Sequence, residues 1–323
     1  MGSKHVTNMV IDLDNESKHY VICDRVTGSL KFASTGGVLA SGVRISLVCV
    51  GEANWNVQVP LASGALIYHN NTKFLDTPFD MDKDAHEKLL DRGVHTIPFH
   101  IKIPDHGLPS SFEDTHAWIH YNVEAAIDEP NSNEVNTIKT RITVDSPMSH
   151  NLKVFVAGHA DKTLSVFPNM GSGSIALYTS LARKGYLPVL CYVANKSTVE
   201  VTPRATLYQI RVYQCGECHK AVDRVLTEHI IGNKMASNAN NTDIIHVPIP
   251  KTASLSIKSD MASNANNTDI IHVPIPKTAS LSIKSDVISV KYVVHVTLDI
   301  PHAVDLHISL PIIVTTQSAL DRN

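Results

Sequence analysis

A chain of 323 residues suggests two domains, and its 43% hydrophobic content is enough for ordinary packed cores. A formal net charge of -3 argues against a polyanionic partner such as nucleic acid. No apolar run approaches the ~20 residues of a membrane-spanning helix, and the first twelve residues lack the apolar core of a signal peptide. A cytoplasmic protein with only peripheral membrane association is therefore expected, and the sequons at Asn15, Asn70 and Asn195 are expected to stay unmodified. The N-terminus departs from a myristoylation signal at Val6, where Ser or Thr belongs.

In chain order, Val10 to Leu13 alternates weakly and opens a first sheet, and Asp14-Asn15-Glu16-Ser17 reads as a turn. Tyr20 to Phe32 reads as a strand-pair element. From Gly42 to Gly51, residues Val43, Ile45, Leu47 and Cys49 share one face of a strand. Trp55 reads as a packing residue rather than a contact residue. Residues 78–93 hold a helix candidate: Asp84 can cap, Glu87 sits three residues on, Leu89 and Leu90 give a narrow apolar face, and Gly93 follows the last turn.

The strand signal is strongest from Arg92 to Asp128. Ile97, Phe99, Ile101 and Ile103 alternate with Thr96, Pro98, His100 and Lys102. Ile119, Tyr121, Val123, Ala125 and Ile127 alternate with His120, Asn122 and Glu124. Between them Pro104 to Ser111 is a run of turn formers that no helix or central strand would tolerate. Glu129 to Glu134 reads as a hairpin turn, Val135 to Val144 as a returning strand, and Asp145 to His150 as the linker.

In the second half, Ile175, Leu177, Thr179 and Leu181 alternate, and Thr206 to Tyr213 is a strand. Cys218 to Gly232 is mixed: Val222, Val225, Leu226 and His229 have helical spacing, with Gly232 placed to end a helix. Val290, Tyr292, Val294, Val296 and Leu298 alternate again, as do Val304, Leu306, Ile308 and Leu310.

Gly93, His95, Pro98, Phe99, Ile103, Pro104, Leu108, Pro109, Ser110, Ser111 and Phe112, followed by Tyr121 in the next strand, form one long spaced pattern. It resembles the N-terminal domain of arrestins, and in particular that of the α-arrestins. Tyr20, Asp24, Val26 and Gly28 are similar to a second family pattern, with Cys23 where the family has Gly. A bulky residue is expected to resist the turn that Gly allows there. Gly51 to Trp55 resembles a shortened G-x-A-x-x-W element.

Gly185, Tyr186 and Pro188, with Asn195 and Ser197, are similar to the arrestin C-domain. There Pro188-Val189-Leu190 replaces the usual Gly-Glu turn, so a distorted or shortened strand edge is expected. Leu310 to Thr315 resembles the family's closing strand.

The resemblance implies an all-β chain of two tandem antiparallel, immunoglobulin-like β-sandwiches with at most one short helix. The expected boundaries are 8–145 for the first sandwich, 146–151 for the linker and 152–318 for the second. It also implies strand rather than helix for Cys218 to Gly232, since a sandwich slot must be filled.

A segment of the second sandwich is duplicated without a single difference: MASNANNTDIIHVPIPKTASLSIKSD stands at 235–260 and at 261–286. Structural repeat families diverge between units, so this reads as a duplicated exon or gene-model artefact. Both copies carry the same strand pattern. The expectation is that one copy pairs while the other is expelled as a long loop, with the second LSIKSD holding the inner slot by local pairing with VISVKY.

For function, the resemblance implies a non-catalytic adaptor that binds the cytoplasmic tails of membrane proteins and directs their trafficking and endocytosis. Recruitment would be to the plasma membrane or endosomes. Many α-arrestins recruit WW-domain ubiquitin ligases through Pro-Pro-x-Tyr motifs, and these residues contain none. No nucleophile elbow, phosphate loop or cofactor fingerprint is present, so neither an enzyme nor a cofactor is expected.

Cys215-Gly216-Glu217-Cys218-His219 matches the haem c attachment pattern, and could supply half a zinc site or a redox dithiol. Two reduced cysteines at a strand end or turn are the expectation, with no metal bound. A thioredoxin-interacting scaffold that uses Cys215 and Cys218 is the alternative, because one α-arrestin branch binds thioredoxin through a cysteine. His100, His120, His295 and His307 fall on polar strand faces and are expected to be solvated.

Overall fold

The computed structural model describes residues 5–60, 64–80, 89–128, 135–147, 157–164, 173–181, 188–247, 254–255, 270–272 and 279–315. The chain divides into two units. One is Met1–Ser146 with Tyr213–His219 and Ser285–Ile288; the other is Pro147–Val212 with Lys220–Lys284 and Ser289–Asn323.

The first unit holds β1 (Val6–Leu13), β2 (His19–Val21), β3 (Arg25–Ser34), β4 (Val38–Leu39), β5 (Val43–Gln58) and β6 (Ala65–Pro78). It continues with β7 (Leu89–Leu90), β8 (Gly93–Lys102), β9 (Phe112–Glu113), β10 (Ala117–Asp128) and β11 (Val135–Asp145). One sheet runs β1-β3-β8 and the other β2-β11-β10-β5-β6. β10 is central, flanked by β5 and β11 in antiparallel register.

The period-two reading of these strands is correct: every second residue of β10 from Ala117 to Ile127 is buried, and in β8 Phe99 and Ile101 are buried while Pro98, His100 and Lys102 are exposed. Each fully buried Leu, Ile or Phe of this core contributes about 1.5–3 kcal/mol. Pro98 is tolerated because β8 lies at a sheet edge, where the missing N–H breaks no second ladder. Gly28 is required: a Cβ there would sit 2.3 Å from the Asp12 carbonyl oxygen where β1 crosses β3. Trp55 is buried and stacks on Tyr68 with centroids 5.2 Å apart.

Cys23 takes the turn after all. Its φ is +73°, in the left-handed region that a side chain disfavours. The strain is held on both sides: Asp24 N–H donates to Val21 O at 3.0 Å, and Cys23 N–H to Ile103 O at 3.2 Å. Asp84 and Glu87 of the helix candidate lie outside the described residues, but Leu89 and Leu90 form β7, paired with β4, rather than a helix face. Among the described residues the helical element is the three-residue 3-10 turn Ala40–Gly42. The hairpin turn at 129–134 and linker residues 148–151 also lie outside the described residues, although Asp128 does pair with Val135.

The second unit, with the Tyr213–His219 and Ser285–Ile288 stretches excepted, holds β12 (Ala157–Leu164), β13 (Gly173–Leu181), β14 (Pro188–Ser197), β15 (Thr202–Cys215), β16 (Cys218–Val225), β17 (Ile230–Ile231) and β18 (Ala239–Val247). Then come β19 (Ser254–Leu255), β20 (Ile270–His272), β21 (Ile283–Lys284), β22 (Ile288–Asp299), β23 (Leu306–Ile312) and β24 (Val314–Thr315). One sheet is β12-β13-β14-β18-β20; the other is β16-β15-β22-β21, with β23 on β22 and β17 on β15.

Cys218–Val225 is a strand, so the helical spacing there is incidental. The edge expected to be shortened at Pro188 is instead the start of a ten-residue interior strand, β14, flanked by β13 and β18. Pro188 is tolerated because it is the first residue of that strand. Gly185 and Tyr186 lie outside the described residues.

Among the described residues both copies contribute strands, and the segment expected to be expelled lies largely outside them. The first supplies β18 and β19, and the second supplies β20 and β21. The second LSIKSD does pair locally, with Ile283 opposite Val290.

Candidate functional site

The arrestin-like residues of the first unit build a buried latch. Tyr121, fully buried at the centre of β10, donates its hydroxyl to Pro109 O at 2.6 Å, twelve residues upstream. Burial pushes the phenol well above its ordinary range, so it stays a donor. Burial likewise pushes the neighbouring Cys49 thiol up to about 12.

Ser111 N–H donates to Val144 O at 2.8 Å, and Val144 N–H returns to Ser111 Oγ at 2.9 Å. Ser110 Oγ takes Ser146 N–H at 2.8 Å and donates to Ser146 O at 3.0 Å, while Ser146 Oγ donates to Leu108 O at 2.6 Å. The proline-rich crossing cannot enter a ladder, so these side chains satisfy the backbone groups a ladder would have paired. Pro104 follows Ile103, whose N–H donates to Asp24 O at 2.9 Å and so ties the crossing to the Cys23 turn. The His95 ring lies tilted against Phe32, centroids 5.3 Å apart, and holds Asp91 O 2.9 Å from Nε2, just before Gly93 opens β8. Phe99 packs edge-on against Phe79.

The second unit repeats the device with different residues. Tyr292, fully buried, donates to Ser280 O at 2.5 Å, again twelve residues upstream. Ser282 N–H donates to Val314 O at 2.8 Å and Val314 N–H to Ser282 Oγ at 2.9 Å. Gln209 donates to the Tyr292 hydroxyl at 2.6 Å. Burial pushes this phenol up to about 12. Sequence reading finds the first latch and misses this one, together with Val144 and Ser146. The signal is present: Ser-x9-Tyr stands at Ser111–Tyr121 and at Ser282–Tyr292.

The outer surface of the first unit carries two grooves. One of 620 Å³ lies over β5, β10 and β11, with Arg44, Lys139, Asp76 and Glu124 at its walls. Arg44 is forked onto Asp128 by two 2.6 Å bonds, which hold the carboxyl below the usual range and raise the guanidinium. The other, of 530 Å³, has Trp55, Trp118 and Ile67 beside Glu52 and Asp114. Ile67 is 74% exposed on β6, which among the described residues pairs only with β5. Both grooves are open; the first is mixed in charge, and the second sets the acidic Glu52 and Asp114 beside its aromatic wall.

The described cysteines and histidines form no reaction centre. Cys215 ends β15 and Cys218 begins β16; the two-residue connection has Gly216 at φ +59°, the glycine-first pattern of a tight hairpin. Neither thiol is in a disulfide, and Cys215 Sγ donates to His69 O at 3.3 Å.

His100 is exposed as expected, but His120 and His295 are half-buried rather than freely solvated. His120 stacks on Trp118 at 4.3 Å, and burial, then Arg141, lower its pKa. His295 stacks on His307 at 5.1 Å with the Tyr208 ring edge-on; burial, then His307, Arg204 and His229, lower its pKa. Among the described residues no group of three His, Cys, Asp or Glu could hold a metal ion.

Residues 9–151 match the family described as "Arrestin (or S-antigen), N-terminal domain". The chain is 26% identical over 162 residues to "Arrestin domain-containing protein 4" of Homo sapiens, which is 48% of this chain and 38% of that protein. It is 23% identical over 253 residues to the Mus musculus protein of the same name, 73% of this chain and 60% of that one. The chain thus spans less than two thirds of the length of either relative.

Proposed function

We propose that this chain, whose residues 9–151 match the arrestin N-terminal domain and which is similar to arrestin domain-containing proteins, is an α-arrestin acting as a non-catalytic intracellular adaptor. It binds cytoplasmic segments of membrane proteins and directs their trafficking. The observation that carries this reading is where the polar residues of the arrestin pattern go. The Leu108–Ser111 crossing and Tyr121 are spent on holding the sandwich together, and what faces solvent is open grooves and a sheet edge.

β6 is an edge strand with Leu66 and Ile67 exposed ahead of His69 and Asn70, which hold Cys215, Gln214 and Asp286; its exposed start suits an extended tail added as a further strand. No helix among the described residues is long and apolar enough to cross a membrane, which fits recruitment to membranes by cargo.

The test is proximity labelling in cells with the full chain, compared with an Ile67→Asp variant. Enrichment of membrane proteins that falls with the variant is expected. Labelling that recovers no membrane protein above background sinks the adaptor reading.

A second reading rests on Cys215 and Cys218, two free thiols flanking an exposed hairpin. A thioredoxin-type partner would be trapped as a mixed disulfide by the parent and released by Cys215→Ser with Cys218→Ser. No trapping by the parent removes this reading.

A further inference from the structure

The free edge of β6 is short, and its backbone direction follows from β5. Asn54 N–H donates to His116 O at 2.7 Å, on the β10 side of β5. Asn54 and its β6 partner His69 therefore form a pair that exchanges no hydrogen bonds. The backbone groups of His69 point away from β5, and those of Ile67 and Ala65, at every second residue, point the same way. Cys215 Sγ meets the His69 carbonyl there at 3.3 Å. Ile67 and Ala65 face the side on which β6 pairs with no further strand among the described residues.

An extended segment added at this edge sets one residue directly opposite Ile67, with its side chain on the face that Ile67 occupies. That face is the groove of 530 Å³. Ile67 and Trp118 both line it, and Glu52 stands opposite Trp118 in the register of β5 and β10. The Trp118 ring is held in place by His120, stacked on it at 4.3 Å. His120 Nε2 in turn lies 3.6 Å from Glu113, which Arg141 bonds at 2.7 Å. His120 does not line the groove, so the surface that Trp118 turns to it is not the one His120 covers.

Glu52 and Asp114 line this groove, and no lysine or arginine does. An acidic side chain entering it would meet two carboxylates. An apolar one would strip water from them and return no hydrogen bond. A cationic one pairs with them and lies against Trp118. To start opposite Ile67 and end in the groove, a side chain must cross β6. That takes a long aliphatic stem, laid on an Ile67 that is 74% exposed.

We propose that the Ala65–Tyr68 edge and this groove form one docking site for an extended basic segment, with an arginine or lysine opposite Ile67 and its cationic head between Glu52 and Trp118. The proposal rests on the adaptor reading and names the chemistry of the tail it takes.

The test titrates the full chain with three labelled, end-blocked peptides of alternating serine and valine, read by fluorescence anisotropy. They differ at one central position, which is arginine, citrulline (the same shape without the charge) or glutamate. The arginine peptide should bind at least about tenfold tighter than the other two and weaken as salt rises from ~0.05 to ~0.5 M. Glu52→Gln should weaken it about tenfold and leave the citrulline peptide unchanged.

Equal affinity for arginine and citrulline, indifference to Glu52→Gln, or no binding by any peptide at millimolar concentration overturns the proposal. So does a dimer that the arginine peptide fails to dissociate, which would give the edge to a second copy. Proximity labelling keeps the two readings apart. Membrane-protein enrichment alongside charge-blind peptides keeps the adaptor and removes the basic-segment site; charge-selective binding without that enrichment does the reverse.

Discussion

Two buried tyrosines, one per unit, reach back twelve residues to a backbone carbonyl, and they differ in what they hold. Tyr121 holds the Pro104–Phe112 crossing, which occurs once and whose backbone is satisfied by Ser110, Ser111 and Ser146. Tyr292 holds a segment whose sequence stands in the chain a second time, as Ser254 and its neighbours. The first latch is specified by unique residues in a unique place. The second is specified by residues that have a duplicate, so its identity is fixed only by which copy lies next to β22.

The largest break in that comparison is Tyr121→Ala. It removes a fully buried side chain and strands the Pro109 carbonyl, and it should cost about 3–5 kcal/mol in denaturant unfolding. Tyr292→Ala should cost the same in the second unit. Neither tyrosine has a duplicate, so equal losses from this pair set the baseline against which the serines are compared.

The serines should then separate the two latches. Ser111→Ala leaves Val144 N–H without its acceptor and should cost about 1–3 kcal/mol. Ser282→Ala should cost clearly less, because Ser256 in the first copy can take its place. Equal losses from both substitutions would show that the spare copy offers no rescue.

A smaller effect comes from acid. The folded state keeps the His295 pKa below its ordinary value, so as pH falls the unfolded chain binds that proton first. Stability from this group is complete above the ordinary histidine pKa and is lost as pH falls through the depressed folded value. His295→Asn should flatten the decline in unfolding midpoint between pH 7.5 and 5.5, and an unchanged decline would assign it to other groups.

The smallest effect should come from the largest change in length. Deleting 235–260 yields the same chain as deleting 261–286, and unfolding free energy should move by about 0.5 kcal/mol or less. A collapse of the second unit on deletion would mean that both copies are needed.

Legibility of the fold tracks burial. Strands with one dry face alternate strictly, and β8, β10, β22 and β23 can be read from their apolar positions alone. The crossing at Pro104–Ser111 is legible because prolines exclude a ladder. Three features are not. Cys23 adopts a left-handed turn because its neighbours' hydrogen bonds override its own preference, which is a tertiary effect. β14 starts at a proline that local pattern reads as a disruption, because the sequence does not show that β13 and β18 will flank it. The placing of β18 and β20 in one sheet and of β19 and β21 on different partners is hidden because identical segments carry no information about which goes where. Of the site, the first latch is readable as a pattern, whereas its serine-to-backbone closure and its twin around Tyr292 depend on segments distant in the chain.

The five cysteines have a use that comes from their placement. Cys49 and Cys191 have no exposed surface and sit one in each unit, while Cys23, Cys215 and Cys218 are reachable from solvent. A thiol-reactive dye should thus label three sites at once and two only as the interior opens. The two slow rates time the breathing of each half separately, in the unaltered polypeptide and without any installed probe.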